Sequence, residues 1–418
     1  MSEPYDVVVV GLGLAGLTAA LAAAERGARV LALGKGYGTT HFRSGTIDVL
    51  GHAGAEVVGN PRAGLAQLCQ ERPEHPYALL REELEPALTL VRDATAESSL
   101  ELLGDLDANR LLPTALGTLR PACLHQPTMG ADLRGASVLA AGIEGYRDFE
   151  PALFAANLPA AAAAHGIELR ARAARVEMPP LRRHHLDGPG LAQLFEQAWF
   201  RDQFLETLRP DLGDATLVAL PAVLGLRHAA EVHAILERRL GVPVIELPAL
   251  PPSVPGMRLQ RALESALRVR GGRVQVGARA RFVREGGRAL LEIAAAAHPF
   301  RIPLRRLVLA TGGPVSGGLV VERSGRVSET VAGVPVEQPA GEPEHWYGND
   351  FLGAGAQPVS LAGIRVDAAM RPLGGGEVVD PDLFAAGGLL AGACRSAELS
   401  ADGIACASGH AAGREAAS

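Results

Sequence analysis

The sequence predicts an α/β protein: a Rossmann-like nucleotide-binding domain built from N- and C-terminal segments, with an inserted α/β domain between them. Three observations carry this. An apolar strand near the start breaks into a glycine turn and an Ala/Leu helix, buried strands ending in small residues return twice in the second half, and a separate alternation of strand and helix patterns lies between.

The opening strand Tyr5-Asp6-Val7-Val8-Val9-Val10 runs into Gly11-Leu12-Gly13-Leu14-Ala15-Gly16. Gly11 permits a tight turn, Gly13 lets backbone approach a phosphate, and Gly16 lets the helix from Leu17 to Arg26 pack on the strand. The helix N-terminus, with Leu14 and Ala15, then faces phosphate charge. Gly27 to Leu33 supplies the second strand. Val7 to Ala24 is uncharged and as long as a short membrane span, but it lacks basic flanks and its glycines fall in the βαβ register, so a span is rejected.

A dinucleotide site usually ends its second strand with an acidic residue that holds a ribose hydroxyl. Here Gly34-Lys35 stands in that place. Lys35, the only lysine among 40 basic residues, is a candidate phosphate ligand, set against the plainer reading of a solvated loop charge. The missing carboxylate points to a truncated cofactor such as FMN or to an altered adenosine pocket.

A loop-rich stretch from Gly34 to about Pro76 leads away from this unit. The inserted domain reads as strand Ser137 to Gly142, helix Glu150 to His165, strand Ile167 to Val176, strand Ala215 to Leu220, helix His228 to Leu240 and strand Val242 to Leu247. A proline-rich crossing, Leu247 to Gly256, leads into helix Met257 to Val269 and strand Arg273 to Val276. A hairpin of Ala278 to Arg284 and Arg288 to Ala294 turns through Gly286-Gly287. Leu304 to Ala310 is a buried strand ending in Thr311-Gly312-Gly313, and Asp382 to Ala386 is another, followed by Gly387-Gly388. A helix from about Gly403 to Ala416 closes the chain, its first turn at Gly403 and Ile404 aimed at an electron-rich group. The boundaries expected are 1–76, 251–330 and 363–418 for the cofactor domain, 77–250 for the insertion and 331–362 for a loop-rich connection.

At 418 residues and 48% hydrophobic content the chain can bury large cores. A net charge of −6 with no basic tail argues against nucleic acid as a partner. Four scattered cysteines form no metal or iron–sulfur framework, suit a reducing compartment and argue against a disulfide-reductase mechanism. With no signal peptide before the first strand, a cytoplasmic location is expected.

The glycine turn, Leu307-Val308-Leu309-Ala310-Thr311-Gly312-Gly313 and Leu383-Phe384-Ala385-Ala386-Gly387-Gly388 stand in an order that resembles a large flavoprotein family, which includes fumarate reductases and glycerol-3-phosphate dehydrogenases. Within it the chain is similar to the B subunits of anaerobic glycerol-3-phosphate dehydrogenases. The matching stretches are His41 to Leu50, His75 to Leu80, Thr114 to Arg120, Leu250 to Gln260, Ser316 to Val320 and Trp346-Tyr347. The resemblance implies a flavin-binding domain holding FMN, with FAD as the alternative, and a partnership with an FAD-bearing A subunit and an iron–sulfur C subunit. It also implies a peripheral position at the inner membrane through those partners. The implied reaction is oxidation of glycerol 3-phosphate to dihydroxyacetone phosphate, with electrons delivered to quinone during fumarate or nitrate respiration. Two alternatives stay open: a fumarate reductase-like FAD enzyme, and a noncatalytic flavin-bearing electron-transfer or scaffold subunit.

Alcohol oxidation at a flavin needs a base, an aimed C–H and cations for the substrate phosphate. His41 is the candidate base and Arg43 the candidate anion clamp, with Ser44 and Gly45 against the flavin. Arg258 and Arg120 are candidate phosphate forks, each against the plainer reading of an ion pair. His345-Trp346-Tyr347 is expected to pack on the inserted domain, with a cover over the flavin as the alternative, and Arg182-Arg183-His184-His185 to be a solvated or partner-facing turn without metal.

Overall fold

The computed structural model describes residues 3–178, 186–294, 299–348 and 357–418, so the Arg182 to His185 turn lies outside the described residues. The N-terminal unit forms as its pattern dictates. Strand β1 (Tyr5–Val10) turns into helix α1 (Leu14–Glu25), and β2 (Val30–Gly34) pairs parallel with β1 from Val7↔Val30 to Val10↔Leu33. The uncharged run is thus divided between a strand and a helix. No described helix is long and apolar enough to cross a membrane. Helix α2 (Tyr77–Ala96) follows, and its buried Leu80, Leu84, Leu88 and Val91 join the same core as β1 and α1. The insertion expected from residue 77 therefore begins later.

A second core runs from Ala115 to Leu247. Its sheet and covering helices use β3 (Ser137–Ile143), α3 (Pro151–Ala163), β4 (Arg170–Val176), β5 (Leu217–Pro221), α4 (Ala229–Leu240) and β6 (Val244–Leu247). The strand order is β4-β3-β5-β6, all parallel. The inserted α/β unit is present, with β4 starting at Arg170 instead of Ile167.

The chain returns through helix α5 (Val254–Val269), which begins inside the proline-rich crossing and not at Met257. The physical reason is the cap: Ser253 Oγ accepts from the Gly256 N–H at 3.3 Å, and Pro255 sits in the first turn, where no N–H is required. Next come β7 (Arg273–Val276), the hairpin β8 (Arg279–Glu285) and β9 (Arg288–Ala294), then β10 (Phe300–Leu309), β11 (Leu383–Ala385) and helix α6 (Ala401–Ala416). Strand β10 has two kinds of neighbour on the side away from β1. Its first half pairs antiparallel with β9 at Ile293↔Phe300, and its second half pairs parallel with β11 at Leu307↔Leu383.

Val10, Leu33, Leu309 and Ala385 stand level across the parallel part of this sheet. The loops that begin at Gly11, Gly34, Ala310 and Ala386 consequently leave from one edge. Helix α1 is buried almost throughout, because α6 lies directly on it. A Cβ on Gly409 would fall 2.4 Å from Ala15 O, and one on Gly413 2.1 Å from Ala19 O, so small residues one turn apart set the approach. Trp346 is buried in this first core, with its indole N–H donated to Gly341 O at 3.1 Å, and does not pack on the inserted domain as expected. Tyr347 is exposed.

Candidate functional site

The glycine turn is fixed by contact. Gly11 holds φ +130°, and a Cβ there would lie 2.0 Å from Ala310 O; one on Gly16 would lie 2.0 Å from Gly11 O. Gly13 differs, with nothing closer than 3.8 Å to its missing Cβ. At the start of α1 the Leu14 N–H is capped by Thr40 Oγ1 at 2.8 Å, whereas the Ala15 and Gly16 N–H groups meet no acceptor among the described residues. Two free amides at a helix N-terminus beside Gly13 form an anion cradle.

The other small-residue loops converge on it. A Cβ on Gly387 would meet Ala15 Cβ at 2.6 Å, and one on Gly388 would meet Gly313 N at 2.9 Å and Gly312 Cα at 3.2 Å. Thr311 Oγ1 is buried with no hydrogen-bond partner among the described residues. Lys35 is exposed and makes no hydrogen bond or ion pair among them. Gly403 serves elsewhere. Its N–H donates to Asp48 O at 2.9 Å, and a Cβ would lie 2.2 Å from Tyr77 Oη. The N–H of Ile404 donates to Ser400 O. The Gly403 and Ile404 N–H groups thus serve the protein's own backbone, contrary to the expectation that they face a ligand.

The segment from 39 to 48 runs along the same edge. His41 stacks on Tyr37 with ring centroids 4.3 Å apart, and Phe42 stands edge-on to it at 5.1 Å. Its Nδ1 is buried without a partner, and burial followed by the Arg261 charge lowers its pKa, so the ring is neutral at neutral pH. Arg43 donates to Asp402 Oδ1 at 2.7 Å and lies 3.5 Å from Asp48 Oδ2. The Asp402 charge accordingly holds the guanidinium above its ordinary pKa. Arg120 donates to Asp48, to Ser44 Oγ at 2.8 Å and to Thr46 Oγ1 at 3.1 Å. Burial pushes the Asp48 carboxyl up to about 6 against the pull of Arg120.

This cluster changes the role expected of Arg43. Two arginines and two aspartates balance, so neither guanidinium stands as an uncompensated clamp. Arg258 is further from the expectation. It is buried, donates to Glu246 at 2.6 and 2.9 Å and to Gly225 O at 2.7 Å, and is consumed by these partners. No motif marks Arg395, which stands eight residues after Gly387. Its guanidinium donates to Leu390 O and lies 3.5 Å from Gly387 O, and its Nε is buried without a partner. Among the described residues no carboxylate lies within ion-pairing distance of it. Burial pushes its pKa down to about 10. No cluster of described residues could hold a metal.

Residues 6–404 match the FAD binding domain family. The B subunit of the anaerobic glycerol-3-phosphate dehydrogenase of Pectobacterium atrosepticum is 36% identical over 404 residues, 93% of this chain and 92% of that one. The chain belongs to this family of flavoproteins. It is therefore a flavoprotein of dehydrogenase type. The corresponding B subunit of Vibrio cholerae is 31% identical over 405 residues, again 93% of this chain and 91% of its own. Among solved structures, a 3-ketosteroid-Δ4-(5α)-dehydrogenase from Rhodococcus jostii has a TM-score of 0.37 at 16% identity, over 99% of this chain and 97% of that one. The free Ala15 and Gly16 amides and the unpartnered Thr311 hydroxyl fit a flavin nucleotide at the common edge. The family is one of FAD binding, which gives no support to the FMN expected from Gly34: a missing carboxylate removes one ribose contact and leaves the phosphate cradle intact.

Proposed function

We propose that this chain is the flavin-bearing B subunit of an anaerobic glycerol-3-phosphate dehydrogenase that oxidises glycerol 3-phosphate to dihydroxyacetone phosphate. The observation that carries the reading is the pair of free amides at the start of α1, in a chain alike over 93% of its length to such subunits. Electrons pass from the flavin through a partner iron–sulfur subunit to quinone, and membrane attachment comes through the partner subunits. The cofactor is FAD, as the FAD binding domain match over 6–404 supports.

Bound flavin supplies the two-electron acceptor for the carbon-bound hydrogen. The amides of Ala15 and Gly16 hold its phosphate charge, and Ser44, Gly45, Thr311, Gly312, Gly313, Gly387 and Gly388 line it. His41, neutral and with an unpartnered ring nitrogen, takes the hydroxyl proton. Arg395, lacking a carboxylate partner, holds the substrate phosphate in the role that sequence alone suggests for Arg43 and Arg258.

Release of the cofactor from purified protein and its mass identify it: FAD supports the reading, and FMN restores the truncated site. Arg395→Ala should raise KM for glycerol 3-phosphate by about tenfold to a hundredfold with a smaller change in kcat; an unchanged KM removes Arg395 from the site. If the pH–rate profile survives in His41→Ala, the base lies elsewhere. The balance of Arg43 and Arg120 against Asp48 and Asp402 favours one second reading, a flavin-bearing electron-transfer subunit that leaves alcohol oxidation to its partner. Turnover of glycerol 3-phosphate with a dye acceptor by the purified chain alone would rule that out.

A further inference from the structure

We infer that Gln126 is a positioning residue of the flavin site, fixing the backbone of Gly45 and tying it to the inserted domain. The inference rests on the reading that a flavin lies along the loop from His41 to Gly45. Gln126 is 1% exposed. Its Nε2 donates to Gly45 O at 3.2 Å and to Pro255 O at 3.0 Å, and its Oε1 accepts from Arg258 at 3.3 Å. Two carbonyl acceptors on one end and a guanidinium donor on the other leave the amide a single satisfactory orientation.

Arg258 is in turn held by the inserted domain. Glu246 of β6 takes both its terminal nitrogens, and accepts as well from Thr128 Oγ1 and the Leu224 N–H, each at 2.7 Å. The connection runs from the inserted sheet through Glu246, Arg258 and Gln126 to Gly45, through side chains that are all buried. A network with its hydrogen bonds satisfied in one arrangement rigidifies what it touches.

The receiving end has no room for a side chain at Gly45. Gly45 holds φ +73°, and a Cβ there would lie 2.5 Å from Gln126 Nε2 and 2.6 Å from Pro255. Gly256, one residue beyond that proline, allows α5 to press against the same loop, since its Cβ would lie 2.5 Å from Thr40 O and 2.6 Å from Arg43 O. With the Gly45 carbonyl directed to Gln126, the N–H groups of Ser44, Gly45 and Thr46 meet no acceptor among the described residues and are left for a ligand. Gln126 touches no ligand itself; it sets the peptide that does.

The test is Gln126→Leu in the full chain, read by the flavin dissociation constant from fluorescence quenching and by the visible absorption band of the bound flavin. About a tenfold weaker binding and a shifted band are expected, with Arg258→Lys moving both the same way because an ammonium lacks the fork that joins Glu246 to Gln126. Arg172→Ala, which removes the donor to Asp211 O and Leu212 O beside the far edge strand β4 of the inserted domain, should leave both readouts unchanged. A constant within about twofold of the wild type and an identical band in Gln126→Leu overturn the inference. Where that variant does not fold, Arg258→Lys decides by the same criteria. Wild-type protein that takes up no flavin overturns the proposed function first and this inference with it.

Discussion

The molecule contains two sheets whose parallel strands lead into helices, and the backbone donors at these strand-to-helix connections are treated in opposite ways. In the cofactor domain the turn after β1 leaves the Ala15 and Gly16 amides without an acceptor among the described residues. In the inserted domain the loop after β5 also gathers backbone donors ahead of a helix, but the chain fills the position itself. Glu196 accepts from the Leu226, Arg227 and His228 N–H groups at 2.8, 2.6 and 3.1 Å. Burial alone would raise this carboxyl, and the three amides outweigh that and hold it below its ordinary value. One sheet carries a built-in anion and the other needs one delivered. A parallel α/β unit therefore becomes a binding site only where its loop donors are left unmatched.

The two halves depend on each other most at the joint between them. Glu246→Ala strands the buried Arg258 guanidinium and should cost about 3–5 kcal/mol in urea denaturation, the range for removing one partner of a buried pair. Within the cofactor half, Gly11→Ala forces both a contact 2.0 Å from Ala310 O and a strained positive φ. It should cost about 3 kcal/mol and abolish flavin retention, measured by denaturation and by cofactor content.

Acid separates two buried carboxyls. Burial would raise Glu398, but hydrogen bonds from His75, Ser400 and Arg72 outweigh it and hold the carboxyl at about 2. The native state keeps a charge that the unfolded chain gives up near 4.5, so its stabilisation is full above about pH 5 and is lost as pH falls toward about 2. Asp48 acts in reverse: its carboxyl is raised from 3.8 to about 6, so acidification across that interval relieves a cost. A stability curve of Glu398→Gln should be flatter than the wild type below about pH 4.5, and parallel curves would remove Glu398 from this role. The mildest substitution bears on the two loops directly. Glu196→Ala should lose about 1–3 kcal/mol, and inorganic phosphate should restore part of it by occupying the vacated amides. No rescue would mean that this loop cannot act as an anion cradle.

The parallel strands are legible because their signals are local. β1, β2, β11 and the end of β10 are apolar runs that lead into glycine or alanine, and β3 to β6 alternate with helix patterns. The start of α5 is hidden because prolines in a first turn look like a crossing. The boundary at 77 escapes the sequence because α2 is amphipathic whichever core it joins, and only its packing against α6 decides. The site is less legible than the fold. Glycine spacing locates the cradle, but whether an arginine is free depends on partners far along the chain: Asp402 lies 359 residues from Arg43, and Gln126 reaches Arg258 across 132. Arg395 draws notice only as a lone cation just beyond a glycine loop.

The same separation governs how the protein comes into being. Helix α1 is finished within the first 25 residues, yet the face it presents to Gly409 and Gly413 is not covered until α6 has been made. At translation rates of about 5–20 residues per second, an almost wholly apolar helix waits roughly 20–80 s for its partner. Synthesis of this chain thus contains a long interval in which the face of α1 that α6 later covers has no partner.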